Sequence, residues 1–283
     1  TCRYARLFKW LVERCNAKLV DTQQPEAFIG ILDIFGFENF KMNSFEQLCI
    51  NFTNERLQQL FMEALIKREQ ASRDPIAHPH RQPHSSHPAT TPSREQAEYK
   101  REGISCDHIP YPDNSAQIEL FDSKRGGIFS MLDDECNTPN GSDAKFVSKM
   151  HDAFANKMLM NGKHAKEFYS PPKYGAAAVG ADLGKEFAPL QFVVQHYAMA
   201  VQYTAHQWLE RNRGRLHSDL AALVGTSKSP LLQLAFEVPT VIVDDEKGKK
   251  KIPTVGATFR ASLRALSATI LTSHQHFVRC IKP

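Results

Sequence analysis

The sequence predicts an α/β fold, predominantly helical, with a few strands buried between the helices. Three observations carry that reading. A short continuous apolar run, AFIGIL at 27–32, ends at Asp33. A helical stripe opens at Asn43 and persists for several turns. From 104 to 238, helical segments alternate with polar loops. At 283 residues, 42% hydrophobic and 23% charged, the chain can bury a core, and its length allows one large domain or two small ones.

Composition excludes several classes. The formal charge of +4 comes with both signs interspersed, which gives no argument for nucleic acid. No stretch approaches the roughly 18 apolar residues of a membrane span, and the start does not resemble a secretory signal. Six cysteines, at 2, 15, 49, 106, 136 and 280, form no C-x-x-C pair and read as reduced thiols. The chain opens at Thr1 and stops at Pro283 straight after an apolar run, so both ends read as cut within structure.

Taken in order, Tyr4, Leu7, Phe8, Leu11, Val12, Cys15 and Leu19 fall at the spacing of an amphipathic helix whose stripe faces a core. Pro25 ends that pattern. The run 27–32 then suits a strand buried on both faces of a mostly parallel sheet, where ligands bind beyond the carboxyl ends of strands. Asp33, Gly36 and Glu38 lie at that edge. A carboxylate there can hold Mg²⁺ directly or through water, and a glycine lets a backbone N–H approach a phosphate. Asn43 with Glu46, and Ser44 with Gln47, form two overlapping capping boxes. If unbroken over 43–70, the helix behind them has 28 residues and spans roughly 42 Å at ~1.5 Å per residue.

Residues 71–96 break that pattern. Five prolines, four histidines and few apolar side chains read as a disordered tract without fixed metal-ligand spacing. RE-Q-A occurs at both junctions, as 68–71 and as 94–97. Excising 71–96 leaves a continuous charged helix end reaching Gly103, a natural position beyond a helix C-terminus. The tract reads as a 26-residue insertion into a finished helix.

Further along, 127–136 and 142–156 read as helices, 161–187 as an exposed loop, and 187–203 as strands. A helix opens at Trp208 and Leu209. His196 and His206 read as hydrogen-bonded core residues. Residues 239–256 form a linker in which Asp244, Asp245 and Glu246 precede Lys247, Lys249, Lys250 and Lys251; such a charge run reads as a solvated loop, with a handle for an acidic partner as its functional alternative. Phe259, Leu263, Leu266 and Ile270 mark a last helix, and 276–281 a returning strand.

The string ILDIFGFENFKMNSFEQLCINFTNERLQQLF resembles the switch II loop and relay helix of the myosin motor domain. YARLFKWLVERCN before it follows the family's order, as do EYKREGI, GIFSMLDDEC, FVVQHYAMAVQY and TFRASLRAL…HFVRCIKP after it. The resemblance implies the middle portion of a P-loop NTPase-like motor core. Residues 1–42 would supply a core helix, a sheet strand and switch II. The interrupted relay helix would occupy 43–104, the lower cleft 105–238, a Lys-rich surface loop 239–256, and a helix with a returning strand 257–283. It further implies Mg-ATP as cofactor. Asp33 would hold Mg²⁺ through water, Gly36 would offer its N–H to the γ-phosphate, and Glu38 would help position the attacking water. Actin filaments are the implied partner, met by Phe146, Lys149, Lys247, Lys249, Lys250 and Lys251. The implied location is the cytoplasmic actin cytoskeleton, with light chains reached only through a lever outside these residues.

Departures from the family pattern set the alternatives. Nothing matches G-x-x-x-x-G-K-[ST]. The nearest stretch, Gly180 to Gly184, Lys185 and Glu186, is one residue short and ends in an acid. Switch I, the adenine-binding residues, converter and lever have no counterpart. Gly214 and Arg215 stand where the family has Asp-Pro, which weakens a strut across the cleft. The chain alone is therefore expected not to turn over ATP. The alternatives are a non-enzymatic actin-binding module and an incomplete gene model of a full motor. Strands 27–32 and 276–281 lack sheet neighbours in this chain, which predicts self-association.

Overall fold

Local sequence signals set the helix boundaries. The computed structural model describes residues 2–19, 29–64, 101–103, 113–173, 183–214, 223, 226–229, 243–244, 250–251 and 253–278. Seven helices and five short strands occur among them: α1 Cys2–Leu19, α2 Phe45–Met62, α3 Ser115–Asp122, α4 Ile128–Asn137, α5 Asp143–Ala155, β1 Tyr169–Ser170, β2 Gln191–Gln195, β3 Ala200–Thr204, α6 Trp208–Arg213, β4 Val243–Asp244, β5 Lys250–Lys251 and α7 Val255–Thr272. Among the described residues helix far outweighs strand, in a mixed α/β fold. No described helix is long and apolar enough to cross a membrane.

Capping side chains mark several starts. Ser142 accepts the Lys145 N–H at 3.3 Å and opens α5, while Thr254 accepts the Ala257 N–H at 3.0 Å and opens α7. At α2 the Gln47 side chain accepts the Ser44 N–H at 2.9 Å, one arm of the expected box. The Asn43–Glu46 box does not form. Asn43 turns instead to Phe40 and to the Gln202 carbonyl at 3.0 Å, and Glu46 pairs with Arg211 at 2.7 Å. The rest of the 43–70 helix reading and the 71–96 tract fall outside the described residues, apart from Glu63 and Ala64. Gly103, expected just beyond a helix end, has φ +73°.

Aromatic rings from six elements fill the core. Phe52 of α2 lies 5.1 Å from Phe121 of α3 and 5.4 Å from Phe129 of α4. Trp208 meets Phe45, Phe146 and Phe192 at 5.6–6.2 Å. Each is fully or almost fully buried, the condition under which an aromatic contributes most. Helix α7 is held to this body by ion pairs, Arg260 to Asp133 at 2.6 Å and Arg264 to Asp122 at 2.7 Å.

The three-stranded sheet runs β1-β2-β3, antiparallel throughout. Tyr169 pairs with Val194, and Gln191 to Gln195 pair with Thr204 to Ala200. Asn43 adds a parallel bridge to Tyr203, fixing the approach to α2 against the edge of the sheet.

Several expectations are corrected. Residues 29–32 form no strand, and Ile29 and Ile31 are 96% and 94% exposed. A strand needs a neighbour to pair its backbone N–H and C=O groups, and no described strand pairs with this run. For the same reason the described part of the returning strand, 276–278, is irregular and Val278 is exposed. Helix α1 forms as expected, but Leu7, Phe8, Leu11 and Val12 are 38–54% exposed, so its stripe is not core. The loop reading of 161–187 fails at 163–170, where a 3₁₀ turn at Ala165–Glu167 and strand β1 bury Ala165 and Tyr169. The linker at 239–256 contains an antiparallel pairing, Val243 with Lys251 and Asp244 with Lys250. His206 is exposed against Phe187, whereas His196 is buried and hydrogen-bonded as expected.

Gly214 acquires a structural reason. It closes α6 at φ +57°, and a Cβ there would sit 2.6 Å from Val255 Cγ2, so glycine is what lets α7 start against α6.

Candidate functional site: a loop tied to a helix

Residues 33–43 run from exposed backbone into the start of α2, and side chains of α2 hold them in place. Asn51 grips Glu38 at both backbone groups. Its Oδ1 accepts the Glu38 N–H at 2.8 Å, and its Nδ2 donates to the Glu38 carbonyl at 2.8 Å. Asn54 Nδ2 donates to the Phe35 carbonyl at 3.1 Å. Gln47 Nε2 donates to the Glu38 carboxylate at 3.2 Å. Phe37 turns inward, 5.0 Å from the His196 ring and 6.1 Å from Tyr197. The loop is therefore fixed at 35, 37 and 38 by separate contacts.

Gly36 lies between those points. It is exposed, its N–H has no partner among the described residues, and no atom lies within 4 Å of where a Cβ would be. Nothing within the described chain demands glycine there. Asp33 is exposed at the rim of a hollow shared with Ile34, Phe35, Ile50 and Thr53. Glu38 is half-buried.

By itself this donor set does not fit Mg-ATP. Two carboxylates and one N–H can face a cation or a water, but they repel a polyphosphate unless basic groups and further amides oppose them. The sequence has no Walker-type loop to supply these, so no chemical step is derived through the nucleotide.

Beneath the loop lies a buried polar series. Asn51 Nδ2 donates to the Tyr203 hydroxyl at 2.8 Å, Tyr203 meets His196 Nε2 at 2.8 Å, and His196 Nδ1 meets Glu55 Oε1 at 3.0 Å. Glu55 also accepts from the Tyr197 N–H at 2.9 Å and from Asn114 Nδ2 at 2.7 Å. All but Tyr197 are buried. Burial pushes the Tyr203 phenol above its ordinary range, so it stays protonated. Sequence reading found His196 but neither Asn51 nor Glu55. Their signal was two polar residues one turn apart on the stripe that carries Leu48 and Phe52.

The expected filament-facing residues separate. Phe146 is fully buried, 6.2 Å from Trp208, so its side chain cannot meet a partner. Lys149 is about half exposed and pairs with the buried Glu135 carboxylate. Lys250 and Lys251 lie in β5, while Lys247 and Lys249 fall outside the described residues.

The arrangement is a glycine-bearing loop at the N-terminus of a helix, tied to it by two asparagines over an aromatic core. Comparison with known proteins gives the family. The family described as "Myosin head (motor domain)" matches residues 1–74 and 88–283, leaving out only a stretch inside the His/Pro-rich tract. The chain belongs to the myosin head family. It is 35% identical to Myosin-52 of Schizosaccharomyces pombe and 35% identical to Myosin-I heavy chain of Dictyostelium discoideum, with 99% of this chain aligned in each. Myosin-4 of Saccharomyces cerevisiae is 32% identical, again over 99% of the chain. The chain spans 16%, 10% and 17% of those relatives respectively.

Proposed function

We propose that this chain is the switch II, relay-helix and lower-cleft portion of an actin-based motor that couples ATP binding and hydrolysis to movement on filaments. Asp33 would face Mg²⁺ through water, Gly36 the γ-phosphate, and Glu38 the attacking water. The phosphate cradle would come from segments outside these residues. Helix α2 would carry the loop's displacement onward. The observation that carries this reading is the double grip of Asn51 on Glu38, beside a Gly36 N–H that has no partner among the described residues. Actin filaments would meet the α4–α5 surface near Lys149 and the Lys-rich hairpin, in the cytoplasm. The P-loop NTPase-like core belongs to the same proposal. Light chains would bind elsewhere.

The chain alone is expected to hydrolyse no ATP. A complete myosin head in which residues 29–64 replace the matching segment is expected to hydrolyse it. In that chimera Gly36→Ala should lower turnover by about 10²-fold or more. Within this chain a Cβ at Gly36 meets nothing, and circular dichroism of the variant chimera matching its parent separates lost turnover from misfolding. An active chimera indifferent to Gly36→Ala would refute the assignment. Co-sedimentation of the chain with actin filaments, weakening with salt, tests the partner separately.

A further inference from the structure

The buried face of α2 presents Asn51 and Glu55 one turn apart, and the β2–β3 hairpin places Tyr203 and His196 between them. We infer that His196 is held as the neutral Nδ1–H tautomer and is the positioning residue through which Glu55 fixes the 35–38 loop on α2. The derivation begins at the backbone. The Glu38 N–H can only donate and its carbonyl can only accept, so the Asn51 amide has one permitted orientation: Oδ1 on the N–H and Nδ2 on the carbonyl, each at 2.8 Å. Nδ2 also reaches the Tyr203 oxygen at 2.8 Å. That oxygen accepts, and among the described residues its single proton has one acceptor, His196 Nε2 at 2.8 Å. Nε2 therefore bears a lone pair and Nδ1 bears the hydrogen. That hydrogen points at Glu55 Oε1, 3.0 Å away.

The opposite tautomer fails on counting. A hydrogen on Nε2 would aim two donors at the Tyr203 oxygen and leave the phenolic proton with no described acceptor. A doubly protonated ring fails in the same way. In the inferred arrangement every donor from Asn51 onward points towards Glu55, so the bonds polarise one another in one direction. Tyr197 and Asn114 complete the carboxylate.

Packing adds a second connection. The imidazole lies between Phe121, stacked at 5.3 Å, and Phe37, edge-on at 5.0 Å. Phe37 belongs to the loop, which His196 therefore contacts through a ring and through the Tyr203–Asn51 series. The positioning role rests on the loop-to-helix linkage proposed above, but the tautomer does not.

The test uses the 283-residue chain without nucleotide, labelled with ¹⁵N-histidine. The His196 resonance is identified by its through-space contacts to the Phe37 and Phe121 rings. A pyrrole-type Nδ1 and a pyridine-type Nε2 are expected. An Nε2–H ring or an imidazolium at neutral pH would overturn the inference. In Tyr203→Phe the Glu38 amide should exchange about tenfold faster, with Leu132 and Phe146 changing less than about twofold. Acceleration uniform across all three, or none at Glu38, would remove the positioning role. Because the tautomer is read without ATP, an inactive chimera would leave this result standing and count against the motor reading alone.

Discussion

Truncating Asn51 is the perturbation that most directly weighs the loop's attachment. In Asn51→Ala three hydrogen bonds disappear, two half-buried ones to the Glu38 backbone and a buried one to Tyr203, all at 2.8 Å. At about 0.5–1.5 kcal/mol net for each bond, the loss is about 2–4 kcal/mol. The upper end applies if the Glu38 backbone groups stay half-buried and unsatisfied, the lower end if the loop lifts away and hydrates. For a chain of this size, about 2–4 °C per kcal/mol converts that to a melting shift of roughly 5–15 °C. Asn54→Ala is the control. Its bond to the Phe35 carbonyl is exposed and 3.1 Å long, and its other bond only returns to the Ile50 carbonyl in its own helix. Its cost should stay below about 1 kcal/mol. Thermal unfolding followed by circular dichroism, with amide exchange at Glu38, measures both. Equal shifts in the two variants, or an unchanged Glu38 amide in Asn51→Ala, would refute the reasoning.

Other substitutions test separate parts of the structure. Gly214→Ala must place a Cβ at φ +57° against Val255, so it should cost about 1–2 kcal/mol and be visible as a lower melting temperature. Phe146→Ala empties a fully buried site and should cost about 3–5 kcal/mol; any loss of actin pelleting should then track loss of helical signal. Lys149→Ala leaves the Glu135 carboxylate buried with the Ser142 N–H as a remaining partner, at 3.2 Å. That should cost about 1–3 kcal/mol by denaturant titration, and Glu135→Gln in the same chain should recover part of it. Burial holds His151 below its ordinary value of 6.5, against a smaller opposing pull from Asp152. Unfolded chain then takes up the proton first as pH falls, so stability should be full above 6.5 and decline below it. His151→Gln should flatten that decline in melts taken across pH 5–7.

Helices with their own start signals were legible in the sequence. Ser142 caps α5 where the sequence placed its start, and Phe45 and Phe52 of α2 face the core as the stripe required, whereas α7 opens at Thr254, inside the stretch read as a linker. What periodicity cannot report is whether a face has a partner. The stripe of α1 is as regular as that of α5, yet Leu11 is exposed while Met150 is enclosed. A run such as 27–32 becomes a strand only when another strand accepts its hydrogen bonds, and that information lies in the neighbour. Phe146 shows a related limit. The residues located the helix from Ser142 in sequence, but only the packing of Trp208 decided which way the phenylalanine points. The Asn51–Glu55 pair was the least visible feature, because its meaning comes from Tyr203 and His196, 152 and 141 residues away from their respective partners.

The spacing of the tethers decides how the loop responds to a pull at Gly36. Phe35 is held through its carbonyl, and Glu38 through both backbone groups, so the free segment between the ties is only Gly36 and Phe37. A chain gains at most ~3.3–3.6 Å per residue, and residues 33–40 already run without helix or turn, so little slack remains to absorb a displacement. Phe37 cannot supply any either, since its ring is wedged against His196. A movement of Gly36 must therefore break a tie or move the helix that holds it. Helix α2 has 18 residues and is roughly 27 Å long at ~1.5 Å per residue, with an internal hydrogen bond at nearly every step. It responds as a rod. The tie at Asn51 is half-buried and doubled, whereas the one at Asn54 is exposed and single, so a pull on the loop should break the Asn54 bond before the Asn51 pair.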